Sequence, residues 1–543
     1  MRNYLLILWC VLMASLPGCS GALQTELEGV DEMLIQQKKV PLFIEKENQD
    51  VFQIHLDLEQ AMTYDLQKIT LILSEGSQTD FVKSIDVSWT AESSQDTTQK
   101  EFGKATLITD EKIEIEGAET LTEGSHSLSF QFVLKDNAAL VQRFSIEKAI
   151  LKLDRKQLEI AVDHPFAYRP AKVLRAAGQD QCDTYRIPGL VTTNVGTLIA
   201  VYDNRYNNSK DLQEDIDIGM SRSTDGGESW EPMRVIMNMG KWGGRSERLN
   251  GIGDPSVLYD HVTGTIWVAA LWMSGATEKD MLWWASKPGL SPELTGQFMV
   301  AKSTDDGLTW SEPINITEQV KDPAWQLLLQ GPGRGITLED GTLVFPAQFK
   351  ADIGEKALDG GQYTCHSTIV FSKDAGESWE IGTGAKANTT EAQVVQLSDG
   401  SLMLNMRDDQ NRKDKSETNG RAVAVSTDLG TSWELHPTSN SALQESNCMA
   451  SIIAADIEIK GENKRALFFS NPNNKHKRTN MTIKASLDDG MTWPDENQLE
   501  LNEEGGYGYS CMTMVDEKTV GILYEGVKAL YFQKVPVADI IQE

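Results

Sequence analysis

Positive charge is scarce in this chain. Lysine and arginine number 50 against 80 aspartates and glutamates, so 543 residues carry a formal charge of −30. Such a field repels polyanions and sets nucleic acid aside as a partner. It still permits one small anion in a locally basic pocket. Cysteine is scarcer still. Cys10 and Cys19 fall at the very start, and Cys182, Cys365, Cys448 and Cys511 are widely spaced. Without a CxxC pair nothing indicates a zinc site. The seven histidines form no ligand-spaced group; no metal is expected, and no organic cofactor either. The four later cysteines leave two readings open: one or two disulfides, or four buried free thiols.

Long apolar runs are missing as well. Beyond the start, no segment approaches the roughly 18 apolar residues a membrane span needs. The start itself, MRNYLLILWCVLMASLPGCSGA (1–22), has Arg2, an apolar stretch from Tyr4 to Met13, and small residues behind it. That is the pattern of a secretory signal. LPGC (16–19) resembles a bacterial lipobox with Cys19 as the lipidated residue. The alternative is cleavage after Ala22. The expected location is therefore periplasmic, on the cell surface through a lipid anchor to a bacterial membrane, or secreted.

What is present is repetition. STDGGESW (223–230) returns as STDDGLTW (303–310), SKDAGESW (372–379), STDLGTSW (426–433) and SLDDGMTW (486–493). Strand-turn-strand patterns such as GRGITLEDGTLVFPAQF (333–349) and AQVVQLSDGSLMLNMR (392–407) recur between the copies. The copies begin 54 to 80 residues apart. In all-β sequence such a period signals a propeller with one four-stranded sheet per repeat. At roughly 60 residues per blade, residues 169–543 hold six blades, which must close into a ring to bury their faces. Residues 23–168 lack the octapeptide and alternate with period two, as in FQIHLDL (52–58) and LSFQFVL (128–134). That alternation predicts half-buried strands, here a β-sandwich preceding the propeller. The expected fold is all-β.

The octapeptide is expected to shape the fold rather than to carry chemistry. Its aspartate can accept hydrogen bonds from its own turn, its glycine permits positive φ, and its tryptophan can pack between sheets. Five identical aspartates spread round a ring cannot converge on one substrate.

The octapeptide is similar to the Asp box, S-x-D-x-G-x-[TS]-W, of the BNR-repeat sialidases, and YRIPGL (185–190) resembles their Arg-Ile-Pro motif. Over about residues 175–540 the chain resembles bacterial exo-α-sialidases, retaining glycosidases with a six-bladed propeller. The resemblance implies a substrate carboxylate clamped by three arginines, matched by Arg186, Arg407 and Arg478. Arginine suits that task because its charge is permanent and its donors form a fork. The nucleophile of these enzymes is a tyrosine, an exception among glycosidases. A neutral phenol avoids like-charge repulsion from the carboxylate on the anomeric carbon, but it needs a neighbouring base. GGYGYSCMTM (505–514) points to Tyr509, with Tyr507 the fallback, and the matching base is Glu391. The acid/base lies among Asp203, Asp211, Glu214, Asp215 and Asp217, between which composition does not choose. The family pattern selects Asp211, six residues after the substrate-contacting Arg205, with Asp215 the competitor. It also implies that Asp254 faces the sugar and that Glu525 buttresses Arg186. The expected partners are sialylated glycans: glycoproteins, gangliosides and oligosaccharides. Open alternatives are a trans-sialidase, an intramolecular one, or a propeller that binds sialic acid without cleaving it. For the first region the resemblance suggests carbohydrate binding, and a packing role is the other reading.

Overall fold

The computed structural model describes residues 23–47, 49–93 and 96–542. The signal-like start, with Cys10 and Cys19, lies outside the described residues. Among these residues no helix is long and apolar enough to cross a membrane.

Ten strands between residues 23 and 161 form one sheet. Period-two alternation builds it: Phe52, Ile54, Leu56 and Leu58 are all buried, as are Leu128, Phe130, Phe132 and Leu134. Ile69 and Ile113, from the other half of the strand order, share that core. The layered region expected here is thus one continuous, nearly closed sheet wrapped around its own apolar face.

Six sheets follow, over residues 184–237, 252–315, 327–387, 389–435, 451–502 and 510–536, here blades 1 to 6. Each blade places its first strand nearest the axis, where Thr184–Thr192 touches the first strands of blades 2 and 6. The ring closes when Pro170–Arg175 pairs antiparallel with Leu530–Pro536, joining the two ends of the propeller sequence in blade 6. The first region also contributes to that blade. Leu42–Phe43 pairs parallel with Pro170–Ala171, and the Phe43 and Tyr531 rings lie 4.6 Å apart. Nearby, Lys39 accepts from the Glu503 N–H at 2.8 Å and its Nζ meets Glu500 at 3.2 Å.

The five octapeptides form the turns between third and fourth strands, and their geometry repeats. In the first, Ser223 Oγ donates to Asp225 Oδ1 at 2.8 Å and accepts from the Gly227 N–H at 2.9 Å. Asp225 Oδ1 also accepts from the Ser229 N–H at 2.9 Å. The corresponding bonds at Asp305, Asp374, Asp428 and Asp488 fall between 2.7 and 2.9 Å. Glycine is required at these turns: a Cβ on Gly227 (φ 88°) would come within 2.2 Å of Phe532 in the adjoining blade. Trp230 packs edge-on against the same Phe532, and Trp379 against Trp267.

Cys182, Cys365, Cys448 and Cys511 are buried and free, so the disulfide reading is not realised. Burial pushes the thiols of Cys182, Cys448 and Cys511 up to about 11, which leaves them protonated and inert near neutrality.

Candidate active site

The singular residues of the sequence gather on the other face of the ring. They lie at the starts of first strands, at the ends of second strands, or in loops joining second to third strands. Arg186 and Glu391 belong to the first strands Thr184–Thr192 and Thr389–Gln396. Arg205, Arg407 and Glu525 end the second strands Leu198–Arg205, Leu402–Asp408 and Thr519–Glu525. Asp211 and Arg478 occupy second-to-third loops, and Tyr509 directly precedes Ser510–Asp516.

Irregular backbone aims these side chains. Strand register breaks between Arg186 and Gly189, Gly253 and Ser256, and Thr390 and Ala392. Ile187, Asp254 and Glu391, at those breaks, have φ of 58°, 59° and 29°. Such bulges interrupt the period-two alternation and turn side chains toward the axis. Positive φ is costly for residues other than glycine and persists where the surroundings enforce it. Here Gln348 accepts the Glu391 N–H, and Asp203 accepts the Asp254 N–H at 2.8 Å.

At the centre, the Tyr509 hydroxyl donates to Glu391 Oε1. Arg407 Nη1 donates to Glu391 Oε2 at 2.5 Å and to the Tyr509 oxygen at 3.3 Å. Asn447, from blade 5's approach, takes both Nε and Nη2 of Arg407 at 3.3 and 2.8 Å. Arg186 Nε donates to Glu525 at 3.1 Å, and Glu525 also accepts the N–H groups of Ile187 and Tyr509, each at 2.9 Å. One buried carboxylate thereby fixes an arginine and the backbone of the tyrosine together. Arg478 is held by the carbonyls of Tyr507 and Asn447 at 2.8 and 3.1 Å. The guanidinium centres of Arg186 and Arg478 lie 5.1 and 5.6 Å from the Tyr509 ring.

The loop of five acids sorts itself by environment. Asp211 Oδ1 contacts Arg205 at 2.8 Å and Arg186 at 3.3 Å, and its side chain is 63% exposed. Asp203 is buried and braces Arg205 at 2.8 and 3.0 Å. Glu214 takes the Asn207 and Asn208 amides, and Asp217 takes the Tyr206 hydroxyl and Asn238. Asp215 is pushed up by burial and then by Glu247. Of the five, Asp211 alone is both arginine-paired and open to the cleft. Tyr507 turns its ring to Arg186, 4.6 Å away, while Glu391 pairs with Tyr509. Asp254 sits 3.8 Å from Arg205.

Electrostatics sets the resting charges. Burial, then the charge of Glu391, push the Tyr509 phenol well above its ordinary range, against the pull of Arg407 and Arg478. Burial also raises Glu391, but Arg407 and the tyrosine hydrogen bond outweigh it and hold the carboxylate low. Desolvation raises Asp211, and Arg205 and Arg186 more than offset it. Asp254 goes the other way, raised well above the usual range by burial and then by Asp203 and Asp211. The resting site thus pairs a neutral phenol with an ionised base, among arginines in a chain whose net charge is negative.

Sequence reasoning had no signal for Asn447 and Gln348. Asn447 lies 40 residues from Arg407 in the chain, and Gln348 lies 43 from Glu391. They reach the site only because neighbouring blades pack.

A BNR repeat-like domain profile matches residues 196–522. A sialidase of Bacteroides fragilis is 41% identical over 95% of this chain and 96% of its own length. A sialidase of Micromonospora viridifaciens is 33% identical over 65% of this chain and 51% of its own. Among solved structures, the Hadza microbial sialidase Hz136 is 38% identical and superimposes with a TM-score of 0.81 over 93% of this chain and all of that one. With 41% identity over 95% of the chain joined to a propeller that gathers the arginines, the paired tyrosine and glutamate and the exposed aspartate on one face, the chain belongs to the sialidase family.

Proposed function

We propose that this exo-α-sialidase removes terminal sialic acid from glycoproteins, glycolipids and oligosaccharides with net retention, through a covalent intermediate on Tyr509. The observation that carries this reading is the hydrogen-bonded Tyr509–Glu391 pair bridged by Arg407. A binding propeller has no use for a base held on a phenol.

In the proposed sequence, Arg186, Arg407 and Arg478 take the substrate carboxylate in fork geometry. In the free protein Arg205 and then Arg186 hold Asp211 ionised, and the bound anion partly neutralises Arg186. Asp211 then binds a proton more readily and can serve as the acid. As Tyr509 Oη attacks the anomeric carbon, its proton passes to Glu391. The glycosidic bond breaks, and the leaving oxygen takes the proton of Asp211. In the second half, water attacks the same carbon, Asp211 accepts its proton, and the bond to Tyr509 breaks with Glu391 returning its own. Two displacements at one carbon leave its configuration unchanged. Asp254, raised toward the neutral form, supplies a hydrogen-bond donor to the sugar.

The test is turnover of an aryl α-sialoside with NMR of the first sugar released. Appearance of the α-anomer before mutarotation supports retention. Release of the β-anomer would rule out the double displacement, and a first-formed anhydro sugar would assign the chain to intramolecular transfer.

A further inference from the structure

The cleft occupies one end of the ring axis. At the other end lies a cavity of about 370 Å³ that the mechanism above does not use. Thr192, Tyr259 and Gln396 line it, and each is the last residue of its blade's first strand. The cavity therefore belongs to the Asp-box face. Nearer the cleft, the apolar cluster of Ile187, Cys448, Met449 and Tyr509 fills the axis.

Arg334 lines this cavity and crosses the ring. It sits in the two-residue strand Gly333–Arg334, which leaves the blade 3 sequence to pair parallel with Ser256–Val257 of blade 2. Its Nη1 donates to the carbonyl of Met512, in the first strand of blade 6, at 3.2 Å. Blades 3 and 6 stand opposite each other in a ring of six. Nε reaches the Gly335 carbonyl at 3.5 Å, and Nη2 has no partner among the described residues. No carboxylate among those residues forms an ion pair with this guanidinium, whereas Arg186, Arg205, Arg407 and Arg421 each have one. Arg478 is likewise held by carbonyls alone, and the mechanism above gives it an anion. Burial lowers the Arg334 guanidinium, and only the Cys511 sulfur pulls the other way. A permanent charge buried without a counter-charge is costly.

The walls select the kind of counter-charge. Ile336, Val395, Ile452 and Ala454 make them largely apolar. Thr192 and Thr337 spend their hydroxyl protons on the carbonyls of Met514 and Tyr259, at 2.6 and 2.8 Å. Arg465 also lines the cavity, but its Nη1 meets Asp456 at 3.3 Å and its Nη2 donates to the Gln396 carbonyl at 2.9 Å. His261 and Glu339, also lining residues, are exposed. One guanidinium cannot replace the many hydrogen bonds that sulfate or phosphate makes with water. A weakly hydrated ion of single charge gives up far less on entry.

We propose that the axial cavity binds a weakly hydrated monovalent anion of the halide class at Arg334, on the face opposite the substrate. The ion neutralises the charge that joins blades 3 and 6 and so stabilises the closed ring. Its binding is independent of the hydrolysis.

The experiment uses the full chain dialysed into sodium gluconate, with bromide raised from 1 to 100 mM at constant ionic strength. For a site half-filled near about 1 mM, the wild-type Tm should rise by about 2 °C. Arg334→Met should show no such rise. Crystals of the wild type soaked in bromide should give an anomalous peak beside the Arg334 guanidinium. An equal response from the wild type and Arg334→Met, or no axial peak, would overturn the site. A larger difference between the two proteins in sulfate than in bromide would overturn the halide class. Should Arg334→Met fail to unfold cooperatively, the bromide peak in the wild type decides.

Discussion

The two faces of the propeller use the same strands in opposite ways. On the Asp-box face each turn satisfies itself: the serine, aspartate and glycine of one octapeptide bond one another, and five copies differ by about a tenth of an ångström or so in the shared bonds. On the catalytic face the central partners come from far along the chain, although Asp203 and Asp211 bond the nearby Arg205. Glu391 depends on Gln348 from blade 3 and on Tyr509 from blade 6, and Arg186 depends on Glu525, 339 residues away. Positive φ outside glycine occurs on both faces, at Ile187, Asp254 and Glu391 by the cleft and at Asp306, Ala375, Leu429 and Asp489 in the octapeptide turns, so what sets the cleft apart is charge paired across blades. Substitutions should therefore separate cleanly: on one face they remove rate and spare stability, and on the other the reverse.

The largest effect is expected at Tyr509. Tyr509→Phe removes the nucleophile and should lower kcat by about three to four orders of magnitude while sialic acid still binds. Steady-state turnover with calorimetric binding checks it, and full activity would reassign the nucleophile, with Tyr507 next in line. Asp211→Asn comes second. With an alkyl leaving group it should cost roughly 10²- to 10³-fold, and with a nitrophenyl leaving group far less, because nitrophenol departs without a proton. Equal losses on both would exclude Asp211 as the acid. Glu525→Gln is third. Its side chain touches Arg186 and two backbone N–H groups. Losing one charge-assisted bond should reduce kcat/KM by about 10- to 100-fold, with KM rising as Arg186 loses its fixed direction.

The same contrast explains what could be read from the chain. The Asp-box face was legible almost completely, because each turn is local: STDGGESW contains every partner its own geometry needs. Blade number followed from the period, although the sixth blade carries no box and is completed by Pro170–Arg175 from before the first repeat. For the site, motifs located Arg186, Asp211, Glu391, Arg407, Arg478 and Tyr509, and the structure brings them together. What stayed hidden has no local signal. Asn447 and Gln348 look like ordinary polar residues until blade packing sets them against Arg407 and Glu391. In the sequence Asp203 is one of five candidate acids, and burial beside Arg205 makes it a structural brace. The first region was legible as period-two strand, but its closure into one sheet depends on pairings far apart in sequence, such as Val82–Ser93 with Gly124–Leu134.

The smallest expected effect lies on the repeating face and shows only in acid. Hydrogen bonds from Ser378 Oγ and its N–H, then from Ser372, lower the Asp374 carboxyl to about 2. In the unfolded chain an aspartate titrates near 3.9. Because the folded value is the depressed one, the unfolded state binds the proton first as pH falls. The stabilisation from ionised Asp374 is thus fully present above about pH 4 and fades as pH drops through about 2. Asp374→Asn keeps the shape but removes the charge, so it should unfold at lower temperature than the wild type at pH 7. The gap should narrow steadily between pH 4 and pH 2, because protonation brings the wild type to the same neutral turn. Thermal unfolding of both proteins across that range measures it, with kcat at pH 7 as the companion readout. A gap that stays constant into acid would mean that the turn depends on the shape of its side chain and not on its charge. A matching loss of kcat would mean that the two faces are coupled after all.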